Sequence, residues 1–153
     1  MGAISWNAPT VTLATLLSTE LNSLANGSTV ISAAINNESN LTMYMDLQLH
    51  LGSLDISAQA SPSVAIRLLE SCDGGTTYDD GTAGATTTAH SPKAPACIFP
   101  LRVGAGAEVK EAVVSMVPVP PGYFQIEIKN RTGVAFAATL NTLKYRTYKV
   151  TVA

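Results

Sequence analysis

The chain has 153 residues, enough for one domain with its own core and too few for two. Hydrophobic residues make up 46% and charged residues only 13%, which excludes wholesale disorder. Nine Lys and Arg against eleven Asp and Glu leave a net charge of -2, which excludes a basic footprint for nucleic acid or an anionic membrane. Ser, Thr, Asn and Gly take the place of the missing charge, and such a surface is a weak electrostatic barrier to association. Two readings fit it: a protein packed against other proteins, or a secreted Ser/Thr-rich β-domain.

Residues 1–12 read as an N-terminal arm, and 13–153 as one domain. Met1-Gly2-Ala3-Ile4-Ser5-Trp6 has no basic or apolar leader region, so no signal peptide is expected. Trp6 occupies the position where a myristoylation signal wants Ser or Thr. Trp6 either anchors the arm in a partner's pocket or caps the domain's own core. No run reaches the ~18 apolar residues of a membrane span. Leu13, Leu16, Leu17, Leu21 and Leu24 fall on one helical stripe, with Thr12 as N-cap and Asn26-Gly27 as the stop. A short helix over about 13–25 is predicted.

After Gly27 the period becomes two. Val30 to Ile35 alternates weakly, and 36–40 is a polar turn. Leu41, Met43, Met45, Leu47, Leu49 and Leu51 then alternate strictly with Thr42, Tyr44, Asp46, Gln48 and His50. This describes a half-buried antiparallel strand over 41–51 with His50 outward. Another strand is predicted around Val64–Leu69. Residues 73–96 form a long Gly-, Asp-, Thr- and Pro-rich loop, the kind that tends to carry function. Further strands are predicted at 97–103, 108–117, 123–129, 134–138 and 141–152. Seven or eight short strands with regular turns point to a mainly β chain, an antiparallel β-sandwich of jelly-roll type.

Catalytic constellations are missing. His50 and His90 flank no recognisable nucleophile, and there is no G-x-S-x-G. Two cysteines 25 positions apart and two isolated histidines do not make a zinc set, and no phosphate-cradling glycine loop occurs. Cys72 and Cys97 either close a loop at the ends of neighbouring strands or stay reduced, as a chain made in a cytoplasm favours. Asp73, Asp79 and Asp80 offer oxygens to a calcium ion, but at a spacing unlike an EF-hand loop, and Asp with Gly is also ordinary turn chemistry. The four Asn-x-Ser/Thr sequons, at Asn26, Asn37, Asn40 and Asn130, read as products of a Ser/Thr-rich chain. No enzymatic activity, cofactor or metal is expected.

Two stretches carry a resemblance. Leu68-Leu69-Glu70-Ser71-Cys72-Asp73-Gly74-Gly75-Thr76-Thr77-Tyr78-Asp79-Asp80 is similar to a strand followed by an S-x-D-G-x-x-Y turn in small virion proteins of tailed bacteriophages. Pro120-Pro121-Gly122-Tyr123-Phe124, Asn130-Arg131-Thr132-Gly133-Val134-Ala135 and Asn141-Thr142-Leu143-Lys144-Tyr145 resemble the C-terminal half of the same group. The resemblance implies a capsid decoration, or cement, protein on the capsid surface of a virion. The implied partners are the major capsid protein and further copies of the same chain, as dimer or trimer. Arm and long loop are the expected contacts, with Trp6, Tyr78, Asp79 and Asp80 as the expected interface residues. A tail or fibre component binding host carbohydrate is the alternative, and would want exposed loop aromatics. A small hydrolase is a third reading, weakened by the missing nucleophile–base pair.

Overall fold

The computed structural model describes residues 4–7, 12–79 and 93–152. Its strands are β1 (Ile4–Trp6), β2 (Ala14–Leu17), β3 (Thr29–Ile31), β4 (Ile35–Asn36), β5 (Tyr44–Asp55), β6 (Ser63–Ser71), β7 (Cys97–Pro100), β8 (Ala107–Pro118), β9 (Tyr123–Arg131), β10 (Thr142–Tyr148) and β11 (Val150–Val152). One sheet runs β2-β10-β5-β8 and the other β3-β9-β6-β7, with β4 added to β9. All pairings are antiparallel. The eight principal strands follow the order of a jelly roll, changing sheet at every step except from β6 to β7. β1 and β11 form a separate two-stranded ribbon.

The alternation in β5 builds half of the core. Met45, Leu47, Leu49 and Leu51 are fully buried and join one cluster with Val64, Ile66, Phe99, Phe124, Ile126 and Ile128 of the opposite sheet. Each such side chain contributes roughly 1.5–3 kcal/mol when removed from water. The strand starts later than the alternation does. Leu41 sits at φ 46 and is exposed, as is Met43. Asn37 sets that start. Its amide donates to the carbonyls of Thr42 and Pro120, while its Oδ1 accepts from Thr42 N–H and Oγ1.

The predicted N-terminal helix is not formed. Ala14–Leu17 instead pairs with β10 as an edge strand, and Thr19–Leu21 makes one 3-10 turn. The leucine stripe still reaches the core, since Leu17, Leu21 and Leu24 are buried. Thr12, Thr15, Ser18, Thr19 and Ser23 interrupt the stripe with hydroxyls that compete for the backbone, and Ser23 takes φ 57. So short a helix is marginal in water, whereas the edge of β10 supplies hydrogen bonds at once.

Two other elements differ from expectation. Residues 134–138 form no strand, and are tied by Phe136 N–H to the carbonyl of Leu24. The final strand breaks at Lys149 into β10 and β11. Two further asparagines staple the turns of this half. Asn130 donates to Leu24 and Val134 carbonyls and accepts from Thr132. Asn141 donates to the Ala137 carbonyl and Asn22 Oδ1 and accepts from Gly52 N–H.

Candidate interaction surface

The outward face of the β3-β9-β6-β7 sheet is covered by its own chain. Arg67 on β6 and Glu127 on β9 are register partners and form a 2.9 Å ion pair, their side chains 4% and 0% exposed. Arg67 Nε donates to the carbonyl of Lys93 at 2.7 Å. Lys93 Nζ pairs with Glu70 at 2.9 Å and Asp79 at 3.0 Å. Desolvation raises the Asp79 carboxyl and lowers the Lys93 amine, but their mutual bond and the Glu70 contacts outweigh it. Asp79 ends below its usual range and Lys93 above.

The described ends of the 73–96 segment are therefore fastened to the sheet. Tyr78, an expected contact residue, is buried against Ile31, Leu69 and Tyr123. Gly75, at φ +88, lies where a Cβ would come within 2.9 Å of the Tyr123 ring, so the turn and the ring need a glycine there. Asp79 is the ion-pair partner just described. Asp80 and the side chain of Trp6 lie outside the described residues; the backbone of Trp6 pairs with Val150.

Asp73 is a turn organiser. Thr77 Oγ1 and N–H, Ser71 Oγ and Thr76 N–H all donate to its carboxylate, and hold it well below the ordinary carboxylate range. Those donors occupy the oxygens a calcium ion would need. No cluster of three metal-ligating side chains occurs among the described residues.

Cys97 pairs with Ile66, whereas Cys72 follows the far end of β6 at Ser71. Five strand residues span roughly 16 Å at about 3.3 Å each, against the 4.4–6.8 Å a disulfide needs. The two thiols are free, and burial pushes that of Cys97 up to about 11. Two of the four sequon asparagines, Asn37 and Asn130, are buried and fully engaged.

The other sheet turns an uncovered face outward. His50 Nδ1 meets Glu111 Oε1 at 3.0 Å across β5 and β8. Gln48, Thr142, Lys144 and Leu140 complete a shallow depression of about 310 Å³ around that pair. Further along, Asp46 accepts from Arg146 Nε at 2.8 Å, from Tyr148 Oη and from Met116 N–H. Desolvation raises the Asp46 carboxyl, but those donors outweigh it and leave it lowered. Tyr44 and Tyr148 stack with centroids 5.9 Å apart.

Most of the exposed bulky apolar residues lie on this sheet and its rim, with Ile98 on β7 of the other sheet and Val103 beyond it also exposed. Val109, Val113 and Met116 stand on β8, an edge strand, and Leu41 and Met43 lead into β5. Leu41, Met116 and Leu140 are all exposed and all take positive φ, a costly backbone state for bulky side chains. Leu41, Met43, Tyr44, Pro118, Val119 and Pro121 line a second groove of about 300 Å³ at the end of the sandwich. Sequence reasoning missed these residues. Val109, Val113 and Met116 were assigned to a strand whose exposed edge no local pattern reveals.

No protein-family model and no curated protein matches the sequence. Among solved structures, the CBM36-1 domain of a multidomain xylanase from the hindgut metagenome of Trinervitermes trinervoides is similar. It is 13% identical over 97% of this chain and 96% of that one, at TM-score 0.39. A family 35 carbohydrate binding module from an environmental isolate is 10% identical over 99% and 93%, at TM-score 0.32. TmCBM61, solved with beta-1,4-galactotriose, is 6% identical over 99% and 88%, at TM-score 0.31. The jelly-roll assignment rests on this chain's own strand order.

Proposed function

We propose that this chain is a non-catalytic assembly protein that docks onto a larger shell, as a decoration protein on the head of a tailed phage. The observation that carries the docking is the apolar side of β8: Val109, Val113 and Met116 stand exposed on an open sheet edge. Apolar side chains exposed together along one edge, rather than singly, mark protein contacts. Met116 is held there against the preference of its backbone. The phage context comes from the sequence resemblance.

In this reading the β8 side is the docking surface. The described ends of the long loop are engaged within the chain, while its middle and most of the arm lie outside the described residues. The test is binding of purified protein to heads of the parent phage assembled without it. Val113→Glu keeps a solvent-facing strand position and should abolish decoration while the melting temperature stays near the parent's. Unchanged decoration by Val113→Glu removes the proposal.

One observation favours a second reading, a tail or fibre component that holds host carbohydrate. The stacked Tyr44–Tyr148 pair and the depression around His50 and Glu111 share one open sheet face. Calorimetric titration with host-surface glycans separates the two, because Tyr148→Ala would weaken glycan binding and leave shell binding intact.

A further inference from the structure

The outermost strands of the two sheets differ in length. β2 and β7 have four residues each and β3 has three, whereas β8 has twelve. An edge strand presents a row of unpaired N–H and C=O groups, and folds blunt such edges by keeping them short, bulged, charged or proline-bearing. Among the described residues β8 pairs with β5 alone, so its other side is the long open edge of this fold.

Both ends of that edge are blunted. At the start Lys110 is buried, and its Nζ donates to the Arg102 carbonyl. Toward the finish the register against β5 shifts at Ser115 and Met116, the Met116 N–H donates to Asp46, and Pro118 ends the strand. Between these lies Glu111–Ser115, in unbroken register with β5 as far as Val114. Val113 is 61% exposed there, with Gln48 of β5 as its cross-strand neighbour and open water on its other side. Ala112-Val113-Val114-Ser115 has no charge, glycine or proline to turn a further strand away. Glu111, the charge before it, already faces His50.

We propose that an extended, uncharged segment of the shell protein adds to β8 along Glu111–Ser115 and becomes the fifth strand of the β2-β10-β5-β8 sheet. This strand addition rests on the docking reading above and gives it a mode: main-chain hydrogen bonds, with an apolar side chain set beside Val113. The edge itself selects the occupant. Donors and acceptors alternating at strand spacing are matched by another strand, and not by a helix face or a flat patch of side chains. Five residues span about 17 Å, an ordinary strand length. A cross-strand neighbour at about 4.5–5.5 Å takes Val113 out of water.

The experiment is hydrogen–deuterium exchange read by residue-resolved mass spectrometry. It uses the full chain, free and bound to heads of the parent phage assembled without it. In the free chain the β8 amides bonded to β5 exchange slowly and those pointing off the edge exchange fast. On the heads, the fast set within Glu111–Ser115 should slow by about a hundredfold or more, because each N–H gains a carbonyl partner. Heads that bind the parent chain, reject Val113→Glu and leave the fast set fast overturn strand addition while the docking reading stands. Heads that bind neither chain overturn both. The same set slowing in concentrated protein without heads, with a dimer in sedimentation, gives the edge to a second copy and overturns the proposal as well.

Discussion

Replacing Arg67 with Met is the most informative single perturbation of this fold. Arg67 supplies one half of an ion pair whose partner, Glu127, has no solvent exposure. It also holds the Lys93 carbonyl through Nε. Removing one member of such a pair typically costs about 3–5 kcal/mol, because the other charge stays buried and loses its opposite charge. For a chain of this length each kcal/mol moves the melting temperature by roughly 2–4 °C, so a fall of about 6–20 °C is expected. Urea unfolding followed by circular dichroism gives the free energy. Replacing Glu127 with Met in the same chain should recover a large part of the loss, since well-packed apolar residues often replace a buried pair at little cost. Tryptic cleavage after Lys93 should also quicken in Arg67→Met, because its carbonyl loses the guanidinium. A loss below about 1 kcal/mol would be that of a surface ion pair, and would refute the burial argument.

Leu47→Asp should cost several kcal/mol by burying an unpaired charge, while Gln48→Asp on the outward face of β5 should be nearly silent; similar losses would reverse the assigned face. Asp46 has a lowered carboxyl in the folded state, so its contribution is fully present above the unfolded carboxylate range near pH 4. That contribution is lost as the pH falls through the folded value, and Asp46→Asn should flatten the acid limb of stability against pH. Cys97, pushed up to about 11 by burial, should resist iodoacetamide at pH 8 while exposed Cys72 is alkylated, and peptide mapping by mass spectrometry reads the order.

The sequence by itself determined the class of this fold and most of its core. Strict alternation in 41–51 placed Met45, Leu47, Leu49 and Leu51 inward, because a strand offers alternate residues to alternate faces. Of the stripe Leu13, Leu16, Leu17, Leu21 and Leu24, the last three are buried and the first two half-buried, on a backbone that is not the predicted helix. Hydrophobic spacing reports which residues leave water, whereas the hydrogen-bonding partner decides between helix and strand. For Ala14–Leu17 that partner is β10, more than a hundred residues away. The turn signatures at Asn37 and Asn130 were legible, but their bonds to Pro120 and Leu24 come only from the closed sandwich.

The exposed apolar surface belongs wholly to the tertiary structure. Tyr78, Asp79 and the return of the long loop read as free from composition, since Gly, Asp and Thr pack poorly on their own. Their fastening depends on Arg67, Glu70 and Lys93 meeting across a sheet edge. Val109, Val113 and Met116 have the local pattern of any half-buried strand. They are exposed because β8 is the last strand of its sheet and, among the described residues, no layer lies over its outer face. Strand order follows from long-range pairing and not from residues near in sequence, so no local pattern could have assigned β8 that position.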